Sequence, residues 1–142
     1  MTKEEQLFQD LKIHDKNIKG LETTEDKKLI IYIEDNDRII ELRFINVKHL
    51  KIDNFRLGNI ILDIEVYEQE YLNKHDEELR SLLDMDRTIT SPYLDKIKED
   101  IGKGELILLS LQSSYGAYGS ILCESVESKI RPKKSLPNDT NF

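Results

Sequence analysis

Residues 29–66 constrain this chain more than any other stretch. Within LIIYIEDNDRIIELRF, apolar Ile40, Leu42 and Phe44 alternate with charged Glu41 and Arg43. Period-two alternation sorts side chains onto opposite faces of a strand, one dry and one wet. Residues 29–34 and 38–45 are therefore predicted to form a hairpin. Asp35, Asn36 and Asp37 supply its turn, because Asn and Asp tolerate left-handed backbone angles. Val47, Leu50 and Ile52 continue as a short irregular strand that Asp53 and Asn54 break. Residues 59–67 repeat the alternation: Leu62, Ile64 and Val66 point one way, and Asp63, Glu65 and Tyr67 the other.

The flanking segments add helices and more strands. Residues 3–13 have Leu7, Leu11 and Phe8 at helical spacing, and Thr2 with Glu5 forms a capping box at their start. Residues 14–27 are polar, with Ile18 and Leu21 beginning a short strand. In HDEELRSLLDM, residues 75–85, Leu79, Leu82 and Leu83 mark a helix. Ser91 and Pro92 open another over YLDKIKEDIG, which Gly102 or Gly104 ends. Residues 104–112, GELILLSLQ, are apolar almost throughout, the mark of a central strand buried on both faces. SSYGAYG, residues 113–119, reads as a loop, and residues 120–127 as the last strand of a second hairpin. The predicted fold class is α+β, mainly antiparallel β. It comprises a sandwich or half-barrel of about six or seven strands, an N-terminal helix and a helical insertion near residues 75–101.

A chain of 142 residues suits one domain. That domain is assigned to residues 1–128. Residues 129–142 are a basic tail with Pro132 and Pro137, expected to be disordered. The tail holds Lys129, Arg131, Lys133, Lys134 and Asp139. Taking these from totals of 21 basic and 28 acidic side chains leaves 17 against 27 on residues 1–128. A body of that sign repels phosphate backbones over a screening length of ~8 Å, which disfavours nucleic acid, and it attracts a basic protein. Cys123 is alone and forms no internal disulfide, and the N-terminus carries no apolar signal core. No apolar run approaches the roughly 18 residues of a membrane span. A cytoplasmic, non-membrane protein is the expectation.

Chemistry-bearing residues are sparse. His14–Asp15 and His75–Asp76 pair an imidazole with a carboxylate, but adjacent residues on a strand face opposite ways, and Asp at a helix start has a capping and dipole role. With His49, the three histidines show no zinc-ligand spacing. No cofactor and no metal site is assigned. Cys123 sits between Leu122 and Glu124 with no base beside it in sequence, and reads as a core thiol. The loop with Gly116 and Gly119 leads into a strand, so it is a turn and not a phosphate cradle; its Tyr115 and Tyr118 would serve as contacts. The acidic region from Glu65 to Asp86 is the densest negative stretch. Glu68, Glu70, Asp76, Glu77 and Asp84, with Tyr67 and Tyr71 as packed anchors, are the candidate partner-binding residues.

Three segments, LKIHDKNIKGLE, ELRFINVKHLKID and GNIILDIEVYE, are similar in layout to small bacterial immunity-type proteins of polymorphic toxin systems. The likeness covers roughly the first half of the chain, and the insertion at 75–101 has no counterpart in it. It implies a protein that neutralises a toxin by binding it, without catalysis, and it carries no site residue across. The expected function is thus a non-catalytic module that presents an acidic face to a basic, toxin-like partner. A homo-oligomeric structural protein, including a homodimer formed through an exposed edge strand, is the alternative. A metal-dependent hydrolase using His14, Asp15 and His49 is a further one, and it requires those side chains to converge.

Overall fold

A computed structural model of the chain describes residues 1–133. Helix α1 (Lys3–Leu11) starts at the capping box read from the sequence: the Glu5 N–H donates to Thr2 Oγ1 at 3.1 Å, and the Thr2 N–H donates to Glu5 Oε1 at 3.0 Å. Lys12 ends it in the left-handed region at φ 55°. Strands β1 (Asn17–Thr23), β2 (Leu29–Asp35), β3 (Arg38–Ile45), β4 (His49–Asp53) and β5 (Ile60–Tyr67) follow. The predicted β2–β3 hairpin forms, but its turn is two residues and not three: Asp35 joins β2 opposite Arg38, with Asn36 at φ 55°. Next come helices α2 (Gln69–Lys74), α3 (Glu77–Leu82) and α4 (Pro92–Gly102), then strands β6 (Ile107–Tyr115), β7 (Tyr118–Cys123) and β8 (Ser125–Pro132).

The eight strands of the described residues form one antiparallel sheet in the order β4-β7-β6-β5-β1-β2-β3-β8. β4 and β8 stand at opposite ends of that order, yet the chain links the ends twice. Residues 46–48 lead from β3 into β4, and Glu124 leads from β7 into β8. The sheet must therefore curl. Hydrogen bonds from the Glu124 N–H to Ile45 O (3.0 Å) and the Lys48 N–H to Leu122 O (2.8 Å) hold the corner. The inside of the curl is the main core. Ile31, Ile33, Ile40, Leu42 and Phe44 meet Ile61, Ile64, Leu109, Leu111, Ile121 and Cys123 there, all with 1% exposure or less. β1 meets β5 over a short ladder, with Asn17 opposite Ile60, and backbone bonds from the Ile18 N–H to Asn59 O (2.7 Å), the Ile61 N–H to Lys16 O (3.0 Å) and the Asp15 N–H to Ile61 O (2.8 Å) extend it. Helix α1 lies against β5 there and adds Phe8 and Leu11 to the same core.

A second core lies on the outer face of β6 and β7. Leu72, Leu79, Leu82, Leu94 and Ile97 of the three helices cover Leu106, Leu108 and Leu122. This explains the unbroken apolar run of β6: Leu109 and Leu111 face one core while Leu108 faces the other.

Several predicted boundaries change. Among the described residues the strands number eight, because the polar segment after α1 pairs fully with β2 and residues 125–132 make a strand of their own. The insertion begins at Gln69 and holds three helices, not one or two. The helix expected over 75–85 is shorter, Glu77–Leu82; Asp76 precedes it in a non-helical conformation at φ −106°, ψ 15°, paired with Lys98 and Arg80. The loop expected at 113–119 shortens to a tight turn, with Gly116 at φ 87°. The tail expected from residue 129 begins later: Lys129, Ile130, Arg131 and Pro132 pair with Glu41, Ile40, Ile39 and Arg38, and Arg131 donates to Glu41 Oε2 at 2.9 Å. The rest of that tail, from residue 134, lies outside the described residues. Among the described residues, no helix is long and apolar enough to cross a membrane.

Candidate functional site

The end of β5 turns its odd-numbered face away from the main core, because Ile64 and Val66 occupy the inner face. Glu65 and Tyr67 therefore point outwards, and the chain passes through Glu68 into α2. Tyr67, Tyr71 and His75 recur every four residues and form a continuous aromatic shelf. The Tyr67 and Tyr71 rings stack at 5.4 Å with 23° between their planes, and Tyr71 meets His75 at 4.8 Å. Tyr67 is half-buried beside Ser110 and Glu78. Burial pushes its phenol up to about 12, and the Glu78 carboxylate acts in the same direction. Tyr71 is 51% exposed and forms the open end of the shelf.

A groove of about 520 Å³ runs along this shelf, lined by Glu5, Glu65, Tyr67, Glu68, Tyr71 and Gln112, with Val66 at its base. Among the described residues, its lining holds three carboxylates and no cation. Glu65 and Glu68 enter no ion pair among the described residues, whereas Glu5 is occupied by the α1 cap. A neighbouring depression of about 410 Å³ shares Tyr67 and Glu68 and adds Glu4, Glu70 and Glu124 together with Lys3, which lies 4.0 Å from Glu4. The larger depression between α1 and β5, about 680 Å³, mixes Lys12, Lys16 and His14 with Glu5 and Asp63 and concentrates neither sign. Carboxylates beside stacked aromatic rings suit a cationic side chain, which gains Coulomb attraction and contact with ring faces at once.

The structure divides the seven predicted contact residues. Tyr67, Glu68, Glu70 and Tyr71 cluster at the start of α2. Asp76 does not join them: its carboxylate accepts from Lys98 Nζ at 2.7 Å and lies 3.1 Å from Arg80 Nε. Burial opposes its ionisation, but those two hydrogen bonds prevail and hold its pKa below the ordinary value. Glu77 lines a separate depression with Arg80 and Arg87, where positive charge offsets it. Asp84 sits in the turn after α3 at φ 55°. Glu5, Glu65 and Gln112 are additions. Glu65 was legible as the outward neighbour of Tyr67, and the aromatic shelf as Tyr-x-x-x-Tyr-x-x-x-His; Glu5 and Gln112 arrive only through tertiary packing.

The histidines do not converge. His14 contacts Leu62 O on β5 and lies 3.4 Å from Asp15, both exposed. His49 is bonded to the Tyr93 hydroxyl of α4 at 2.7 Å. Its strand, β4, is separated from β5 by β7 and β6, roughly 14 Å at the usual strand spacing. Among the described residues, no three His, Cys, Asp or Glu side chains group to hold a metal ion. Cys123 is fully buried, and burial pushes its thiol up to about 12, far from nucleophilic reactivity at neutral pH.

No family model matches the chain, and no curated protein or solved structure is significantly similar to it.

Proposed function

We propose that the protein is a non-catalytic binding module whose groove at the β5–α2 junction receives a basic segment of a partner protein. The observation that carries this reading is the groove lining, three carboxylates without a cation among the described residues, along a stacked Tyr67–Tyr71 shelf. An immunity-type protein that blocks a cationic, nucleic-acid-cleaving toxin is its concrete form. Carboxylates spaced along a groove imitate a phosphate backbone, and the aromatic rings take the place of stacked bases. The curled sheet, read as a half-barrel plugged by α1, supplies a rigid frame for that edge.

The test is a titration of the full chain with an arginine- and lysine-rich peptide, followed by backbone amide NMR. Shift changes are expected to concentrate at residues 65–71 and Glu5, and to fade with added salt. The Glu65→Lys/Glu68→Lys double variant is expected to weaken binding at least tenfold, ~1.4 kcal/mol or more. Changes spread evenly over the acidic surface, or affinity indifferent to the double reversal, would overturn the reading.

A further inference from the structure

Strand β8 ends the sheet, and its eight residues pair with β3 on one side only; no strand pairs with its other edge among the described residues. The hydrogen-bond pattern fixes which backbone groups face that open edge. The Lys133 N–H donates to Asp37 O at 2.7 Å, in step with the Arg38–Pro132 register of the ladder. Odd-numbered residues of β8 thus turn their backbone groups towards β3, and even-numbered ones turn theirs outwards. Val126, Ser128 and Ile130 each present a free N–H and C=O. Pro132, which has no N–H to present, falls on the outward set, where an edge strand tolerates it.

Charged side chains on an edge strand usually discourage pairing. Of the registers centred on Glu127, Ser128 or Lys129, the order of charges on β8 favours one. A twofold antiparallel pairing of β8 with itself must match even residues with even ones if the outward groups are to bond. Centring it on Glu127 sets Glu against Glu, and centring it on Lys129 sets Lys against Lys. Centring it on Ser128 sets Glu127 opposite the partner's Lys129, twice, and Val126 opposite the partner's Ile130, twice. Ser128 then exchanges both backbone bonds with its own copy. The charged pairs fall at the non-hydrogen-bonded positions, where Cα atoms approach to about 4.5 Å and side chains interact most. Glu127 and Lys129 are both exposed, and neither enters an ion pair among the described residues. Ile130 is 46% exposed and gains an apolar neighbour in this arrangement.

We propose that β8 is a homodimerisation edge, pairing antiparallel with the β8 of a second copy about a twofold axis through Ser128. The sheet then runs on across both molecules, and the interface is independent of the β5–α2 groove.

Sedimentation velocity of the full chain over a wide concentration range tests this. The wild type is expected to approach twice the 16.7 kDa chain mass, with a dissociation constant that rises with salt. Glu127→Lys and Lys129→Glu each place like charges at both pairs and are expected to weaken the dimer roughly tenfold or more. The double exchange Glu127→Lys/Lys129→Glu restores opposite signs and is expected to recover it. Ser128→Pro removes an outward N–H that the monomer does not use, and is expected to give a folded monomer by circular dichroism. A monomeric wild type at every concentration, single reversals that dimerise like the wild type, a double exchange no better than either single, or a folded Ser128→Pro dimer would each overturn the proposal.

Discussion

At the scale of single residues, Asn59 does more than its place in a strand-like segment foretells. It is 1% exposed. Its Oδ1 accepts from the Arg56 N–H (2.8 Å) and the Ala117 N–H (2.9 Å), and its Nδ2 donates to Arg56 O (2.6 Å). One amide thus ties the loop before β5 to the β6–β7 turn, and it explains why that turn is tight. Gly116 stands there at φ 87°, and a Cβ on it would come within 2.8 Å of Gly58 O. Asn59→Ala strands the buried Ala117 N–H and is expected to lower stability by about 2–3 kcal/mol, read as a fall in urea midpoint at unchanged slope. A loss under half a kcal/mol would show that the network is dispensable.

At the scale of elements, alternation and apolar periodicity made β2, β3, α1 and α4 legible, because each has a wet and a dry side that a one-dimensional pattern reports. In β5 the expected face of Leu62, Ile64 and Val66 holds only from Ile64 on, because a register shift between Ile61 and Asp63 buries Ile61 and leaves Leu62 43% exposed. β6 was legible for the opposite reason, since burial on both faces erases alternation. β8 was not: SVESKIRP has little apolar content, and what places it is the ladder to β3 together with the Arg131–Glu41 bond. The candidate site divided in the same way. Residues 67–71 cohere because a strand end and a helix start hold them, while Asp76 is consumed by cations from α3 and α4 that are distant or unremarkable in sequence. A chain ending at Ser128 removes half of the β3–β8 ladder and leaves Glu41, 8% exposed at its side chain, with Arg43 as its one ion-pair partner among the described residues. Such a truncation is expected to lower stability by about 2 kcal/mol or more. An unchanged urea midpoint would mean that residues beyond 128 are dispensable to the domain.

At the scale of the whole molecule, buried carboxylates set the response to pH. Hydrogen bonds from Lys16 and Arg38 hold Asp35 below its ordinary value of 3.8. Burial opposes ionisation of Glu41, but Arg43 and Arg131 prevail and hold it below 4.5. Asp76 behaves alike. Carboxylates whose folded pKa is depressed contribute stability that is present above their unfolded values and lost as pH falls through the folded ones. Thermal midpoints are therefore expected to hold level down to about pH 5 and to fall steeply below about pH 4; a midpoint that stays level to pH 3 contradicts the assignment. Tyr67 and Cys123, both raised to about 12 by burial, set the opposite limit, their stabilisation fading as pH climbs above the ordinary values of 10.0 and 9.0. The corner at Glu124 also dictates an order of events during synthesis. The β2–β3 hairpin is complete once residue 45 has emerged, but the segment that zips onto β3 lies some eighty residues downstream. While residues 46–124 emerge, β3 offers a bare backbone edge, an opening for mispairing that closes once β8 leaves the ribosome.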